Sequence, residues 1–193
     1  MGGIYRNHNL NSLWDAEEYS YLKKWIKDYL LSKNRICSYC RIPFPSGRRS
    51  MIMIHLEHIL PKKEYPFYTF YLKNLGLSCQ RCNMSCKGRR KDHIVNFTKA
   101  GIHNPDTDFL ASNYNILHPN IDIIEDYYVL KLHLFEDDGF FYHYERRVKN
   151  NTRLDFTFDF FKLDEIESDY IDYIQELETK NLEREKYGLD KMI

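Results

Sequence analysis

Cys37-Ser38-Tyr39-Cys40 and Cys79-Gln80-Arg81-Cys82 are two CxxC pairs with 38 residues between them, and inside that interval runs His55-Leu56-Glu57-His58-Ile59-Leu60-Pro61-Lys62. One CxxC reads as readily as a redox motif or a chance pair. Two of them can deliver four thiolates to a single tetrahedral Zn²⁺ at ~2.3 Å, and no strand-and-helix pattern marks either as a thioredoxin-type motif. Cys37, Cys40, Cys79 and Cys82 are therefore the expected ligands of a structural zinc. The fifth cysteine, Cys86, follows Cys82 by four residues on the same helical face and reads as a buried or spare thiol. Met1-Gly2-Gly3-Ile4-Tyr5-Arg6 lacks the apolar stretch of a signal peptide, and no apolar run nears the ~18–20 residues that span a bilayer. The expected compartment is cytoplasmic, where thiols stay reduced and favour metal over disulfide.

Outward from the cysteines, the residues from Met51 to His58 form an apolar run that turns polar at its end, as in a strand presenting side chains to a site. Pro61 and Pro66 make 59–73 a long loop, Leu75 to Ser78 suits a second short strand, and Gln80 to about Phe97 suits a basic helix. Upstream, Trp14, Leu22, Trp25, Ile26, Tyr29 and Leu30 recur at helical spacing from Ser12 to about Leu31, a stripe expected in the core. Downstream, Asn104-Pro105 and His118-Pro119-Asn120 mark a connector. Tyr127 to Phe135 and Phe140 to Arg146 suggest a hairpin about Glu136-Asp137-Asp138-Gly139, and a final helix is expected from Asp164. The expected class is α+β: an N-terminal helix and zinc-bound unit over 1–103, then a hairpin-plus-helix subdomain over 104–193. With 193 residues, 43% of them hydrophobic, the chain is long enough to bury a core.

Formal charge sums to zero but is segregated. Residues 1–100 carry 18 Lys/Arg against 7 Asp/Glu, and residues 101–193 carry 10 against 21. A basic half suits a polyanion and an acidic half is repelled by one, so the second half reads as a docking surface for a protein or as the solvated completion of the core.

Within the interval, residue types suggest phosphodiester hydrolysis. That reaction needs a base to deprotonate water, a divalent cation to take up developing charge, and donors to hold phosphate. His58 suits the base because imidazole titrates near neutrality. Glu57 and Asn83 offer hard oxygens to Mg²⁺ or Mn²⁺. Lys62, Lys63, Arg81, Lys87, Arg89, Arg90 and Lys91 bracket the same stretch and suit phosphate contacts that position a nucleic acid without reading its bases. The role of His55 stays open; His93, His103, His118, His133 and His143 match no such pattern.

Glu57-His58-Ile59-Leu60-Pro61, Asn74 before an apolar strand, and Cys79-Gln80-Arg81-Cys82-Asn83 followed by Lys87-Gly88 occur in an order that resembles the HNH endonuclease family, over roughly the 55 residues from Cys37 to Arg90. The resemblance implies a ββα-metal core pinned by zinc and a separate catalytic cation. It also implies DNA as substrate and a role for Asn74 as a brace that orients the base through backbone contacts. Asn83 stands where the family's third letter is His. From Asn115 to about Leu163 a fainter likeness extends to Septu-type and retron-associated HNH effectors of bacterial anti-phage defence, which implies an ATPase partner of ABC or SMC-like type. The alternative is a zinc-stabilised nucleic-acid-binding or adaptor module without catalysis.

Overall fold

The computed structural model describes residues 14–47, 53–95, 104–134 and 140–190. The chain is α+β, with two separate two-stranded antiparallel sheets among helices. After a 3₁₀ turn at Glu17–Tyr19 comes α1 (Ser20–Lys33), whose Ile26 is buried. The helix starts later than its apolar spacing predicts: Trp14 lies in a turn, and Ser12, the expected start, lies outside the described residues. The expected core stripe also needs correction. Trp25 and Tyr29 are exposed, while Ile26 goes into the core and Leu30 packs against it. The apolar arc of α1 is wider than the surface available to cover it.

Strands β1 (Ile54–His58) and β2 (Leu75–Cys79) pair antiparallel with Ile54 opposite Cys79 and Glu57 opposite Gly76. Ser38 N donates to Leu77 O at 2.8 Å, which docks the first CxxC turn on β2. Gly76 leaves room for the approach: a Cβ on it would come within 2.8 Å of Ser38 Oγ and oblige that side chain to turn away. Directly after β2, residues Arg81–Lys87 form a π-type helical segment, α2, closed by Gly88 N donating to Asn83 O at 2.8 Å. Gly88 has φ +49°, so the helix stops there instead of running to Phe97, itself outside the described residues. A string of turns follows.

The C-terminal half begins with the connector and continues into β3 (Tyr128–Leu134) and β4 (Phe140–Arg146), paired from Tyr128 opposite Arg146 to Leu134 opposite Phe140. The expected turn at 136–139 lies outside the described residues. A helix absent from the sequence reading comes next: α3 (Thr152–Phe161), capped by Asn151, whose side chain accepts from Leu154 N at 3.0 Å. It buries Leu154, Thr157, Phe158, Phe160 and Phe161. The run Asp155-Phe156-Thr157-Phe158-Asp159-Phe160 alternates polar and aromatic residues like a strand, and the Asn cap together with packing on both sides overrides that pattern. Lys162, at φ 51°, turns the chain into α4 (Leu163–Lys186), which lies along β4. Glu167 of α4 holds that contact, accepting from Tyr144 N at 3.2 Å and meeting His143 Nδ1 at 2.8 Å.

One hydrophobic cluster joins the CxxC turns to the acidic half: Cys37, Tyr39, Cys82 and Ile59 share it with Tyr128, Tyr144, Leu154, Phe158, Phe161 and Leu163. Two buried tyrosines fasten the join. Tyr128 OH donates to Tyr39 O at 2.5 Å and Tyr144 OH to Cys40 O at 2.7 Å, so β3 and β4 clamp the first CxxC turn. Arg81 pins the far side by donating to the carbonyls of Phe161 at 2.6 Å and Lys162 at 2.7 Å, at the end of α3.

Candidate metal centre and active site

The sulfurs of Cys37, Cys40, Cys79 and Cys82 all lie within 4.8 Å of one another, with Cys40 and Cys79 3.9 Å apart. A regular tetrahedron with bonds of ~2.3 Å has edges of about 3.8 Å, so the cluster has the dimensions of a four-thiolate zinc site. Backbone amides face the sulfurs: Cys79 N donates to Cys37 Sγ and Cys82 N to Cys79 Sγ, each at 3.4 Å. Such donors stabilise thiolate charge. Four thiolates this close, three of them buried, need a cation to coexist. Cys86 stands apart and donates to Phe161 O at 3.4 Å. No other cluster of three or more His, Cys, Asp or Glu ligands occurs among the described residues.

Glu57 lies next to this centre, on β1. Its Oε1 meets Lys87 Nζ at 2.6 Å and accepts from Tyr39 OH at 3.3 Å, and Tyr39 sits between the first two cysteines. Glu57 and Lys87 are both buried. Burial raises the Glu57 carboxyl above its ordinary range, and the ammonium beside it pulls the other way. Lys87 Nζ also donates to His58 O at 2.7 Å, so one cation ties two consecutive residues of β1 to α2. Asn83, one helical turn before Lys87, makes a second cross-link: its Nδ2 lies 2.9 Å from His55 Nδ1. With that amide hydrogen directed at His55, the Asn83 Oδ1 is the atom left for another partner. His55 and Glu57 occupy the same face of β1, two residues apart, as a strand dictates.

The His58 ring points elsewhere, toward the loop that follows β1. Its Nε2 lies 2.9 Å from Thr69 O. A carbonyl only accepts, so Nε2 carries the hydrogen and Nδ1 keeps the lone pair. The edge of Trp14 closes on the ring at a centroid distance of 4.3 Å. Burial lowers the His58 pKa to about 4, with Lys62 and Lys87 adding to the effect against the Thr69 hydrogen bond, and the imidazole is neutral at neutral pH. Asn74 holds the loop itself. Fully buried, it accepts from Leu60 N at 2.6 Å and donates to Leu60 O and Tyr68 O, each at 3.1 Å. A carboxamide bonded to both ends of a loop fixes the carbonyl at 69, which in turn fixes the His58 ring.

The basic residues divide by environment. Lys87 is buried in its ion pair and Arg81, half-buried, caps α3, so both head groups are already engaged within the fold. Lys62 sits 3.2 Å from Asp15, Lys91 pairs with Glu64, and Arg90 pairs with Asp92 at 2.6 Å while stacking over Phe160. Lys63 and Arg89 are exposed. Sequence reading left the His55–Asn83 contact and the burial of Lys87 unforeseen. The spacing of Asn83 and Lys87, one turn apart after a strand, was the available signal.

No protein-family model matches this chain, and no curated protein is similar to it in sequence. No helix among the described residues is long and apolar enough to cross a membrane.

Proposed function

We propose that the chain is a metal-dependent endonuclease of HNH type, built on a zinc-pinned ββα-metal core and hydrolysing DNA. The observation that carries this reading is the fixed ring of His58: Nε2 donates to the Thr69 carbonyl in a loop braced by Asn74, which leaves the Nδ1 lone pair as the candidate base. On the face of β1 opposite the His58 ring, the carboxylate of Glu57, together with the Oδ1 of Asn83 on α2, matches in type the hard oxygens that Mg²⁺ or Mn²⁺ takes. When bound, such a cation would supply charge stabilisation at the phosphate. His58 Nδ1 takes a proton from water, whose oxygen attacks phosphorus; the P–O3′ bond breaks and the 3′ oxygen gains a proton from solvent, leaving a 5′-phosphate and a 3′-hydroxyl. Exposed Lys63 and Arg89 suit contacts to flanking phosphates. In this reading the chain works beside an ATPase partner of ABC or SMC-like type, as the resemblance of its sequence to anti-phage HNH effectors implies.

The test is plasmid cleavage with Mg²⁺ or Mn²⁺. His58→Ala is expected to lose about 10²–10⁴-fold in rate with zinc content unchanged. Cleavage by pure protein that survives the substitution rejects the reading. One observation favours a second reading, a zinc-stabilised nucleic-acid-binding module without catalysis: Lys87 already neutralises Glu57. DNA retention in gels with no cation-dependent nicking would select it.

A further inference from the structure

Trp14 and Asp15 come down on two groups that the proposed chemistry uses, one at the end of β1 and one in the loop beyond it. The Trp14 and His58 ring centroids are 4.3 Å apart, in edge contact, so no phosphate fits between the rings. Asp15 Oδ2 and Oδ1 lie 3.2 and 3.3 Å from Lys62 Nζ, and the same ammonium stands 5.8 Å from the centre of the Trp14 ring. A carboxylate 47 positions upstream thus sits on a lysine suited to phosphate. The composition of this segment is unusual for where it lies. Of the seven acids among residues 1–100, Asp15, Glu17 and Glu18 fall within four consecutive positions, and all three are exposed.

The segment is held lightly. The Asp15 and Lys62 side chains are 74% and 32% exposed, and an ion pair in such a setting is weak. Trp14 is half-buried, touching Phe70 at 5.4 Å besides His58, and its carbonyl accepts from Lys23 Nζ at 2.8 Å. Ala16 opens the 3₁₀ turn without a side-chain cap. Tyr19, next in line, rests on Phe70 at 5.2 Å and gives the segment a fixed end. We infer that residues 14–18 are a releasable strap over the candidate active site: the Asp15 carboxylate holds the place on Lys62 that a nucleic-acid phosphate takes, and Trp14 bars the approach to His58. This rests on the reading of His58 and Lys62 as groups that meet substrate. One ammonium serves a carboxylate or a phosphate by the same charge-assisted bond, so an arriving strand and Asp15 compete for it. A tryptophan kept only for packing would be buried and would not need exposed acids beside it in the basic half.

The experiment reads access to His58 directly. The full chain, in zinc-containing buffer lacking Mg²⁺ and Mn²⁺, is treated with diethyl pyrocarbonate, and modification of His58 is followed by peptide mass spectrometry with His55 and His133 as references in the same sample. Asp15→Asn is expected to speed His58 modification about two- to fivefold, the weight of an exposed ion pair. Trp14→Ala should speed it at least about tenfold, since a ring contact is lost with its burial. His55 and His133 should keep their rates. In the unaltered chain, a short DNA duplex should speed cleavage after Glu17 and Glu18 by a glutamyl-specific protease, as the strap leaves. Unchanged His58 modification in both variants overturns the inference, and so does a duplex that slows the protease or leaves its rate unaltered. Should Trp14→Ala misfold, Asp15→Asn and the protease experiment decide. With Mg²⁺ or Mn²⁺ added, both variants should cut plasmid faster than the unaltered chain. Slower cutting alongside faster modification would make Trp14 a part of the working site and overturn the inference. Absence of cutting by all three proteins rejects the nuclease instead, and the strap is then judged by His58 modification and the protease alone.

Discussion

Lys87 Nζ and Glu57 Oε1 lie 2.6 Å apart with both side chains buried, and the same ammonium donates to the backbone oxygen of His58. This contact welds the end of β1 to α2. A buried pair adds little when compared with apolar residues of equal size, but half of one is costly because a charge is left without a partner.

Lys87→Met is accordingly expected to destabilise the fold by about 3–5 kcal/mol at pH 7.5, read from urea denaturation with zinc present. Glu57→Leu added to Lys87→Met should recover at least half of that loss. Burial already raises the Glu57 carboxyl, and removing Lys87 takes away what opposes it. Its proton is then held in the fold above the unfolded pKa, so the penalty of Lys87→Met should shrink as pH falls from 7.5 toward 5. A penalty that grows in acid, or a double variant no better than the single, contradicts this account.

The four-cysteine cluster makes a separate prediction. Metal analysis should return about one zinc per chain, and Cys82→Ser should lose most of it together with cooperative unfolding. Cys86→Ser, at a thiol bonded to Phe161 O and not to the cluster, should keep the full zinc content. Equal zinc loss in both variants would rule out the four-sulfur assignment.

Clamping of the first CxxC turn by β3 and β4 is testable through two hydroxyls. Tyr128→Phe and Tyr144→Phe each strip a buried carbonyl, Tyr39 O or Cys40 O, of its donor. Each should cost about 1–3 kcal/mol and speed zinc release to a chelator. Zinc release at the unaltered rate in both variants would separate the acidic half from the metal centre energetically.

Acid sensitivity should come largely from three histidines that burial keeps neutral: His58, described above, and the more deeply buried His93 and His118. His93 donates to Ile59 O at 2.8 Å and His118 Nδ1 accepts from Asn120 N at 3.2 Å, while His93 Nδ1 and His118 Nε2 are buried without a partner. Burial lowers their pKa values to about 4 and about 3. Both stay neutral in the fold where the unfolded chain, near 6.5, takes up protons. Stability is thus complete above about pH 6.5 and declines as pH falls, by up to about 1.4 kcal/mol per pH unit for each imidazole. His118→Asn keeps an acceptor for Asn120 N and removes one titration, so the slope between pH 6 and 4.5 should drop by about that amount. An unchanged slope would place the acid response elsewhere.

Spacing alone was enough for the local features. The two CxxC pairs, the polar end of β1, the short β2 and the β3–β4 hairpin are written in neighbouring residues, because thiolate pairs and alternating side chains act over a few positions. Asn74 and His58 could be singled out from their order in the chain, but not the Thr69 carbonyl that links them, since a backbone oxygen leaves no mark in the sequence. Tertiary structure decided the remainder. It made a helix of the strand-like Phe run in α3, ended α2 at Gly88, turned Trp25 and Tyr29 outward, and took Lys87 and Arg81 from the surface into structural contacts. For Arg81 and Lys87 the deciding partner lies far along the chain, Phe161 for the one and Glu57 for the other. The residue type fixes which interactions a side chain can make, and only the folded neighbourhood determines which of them is made.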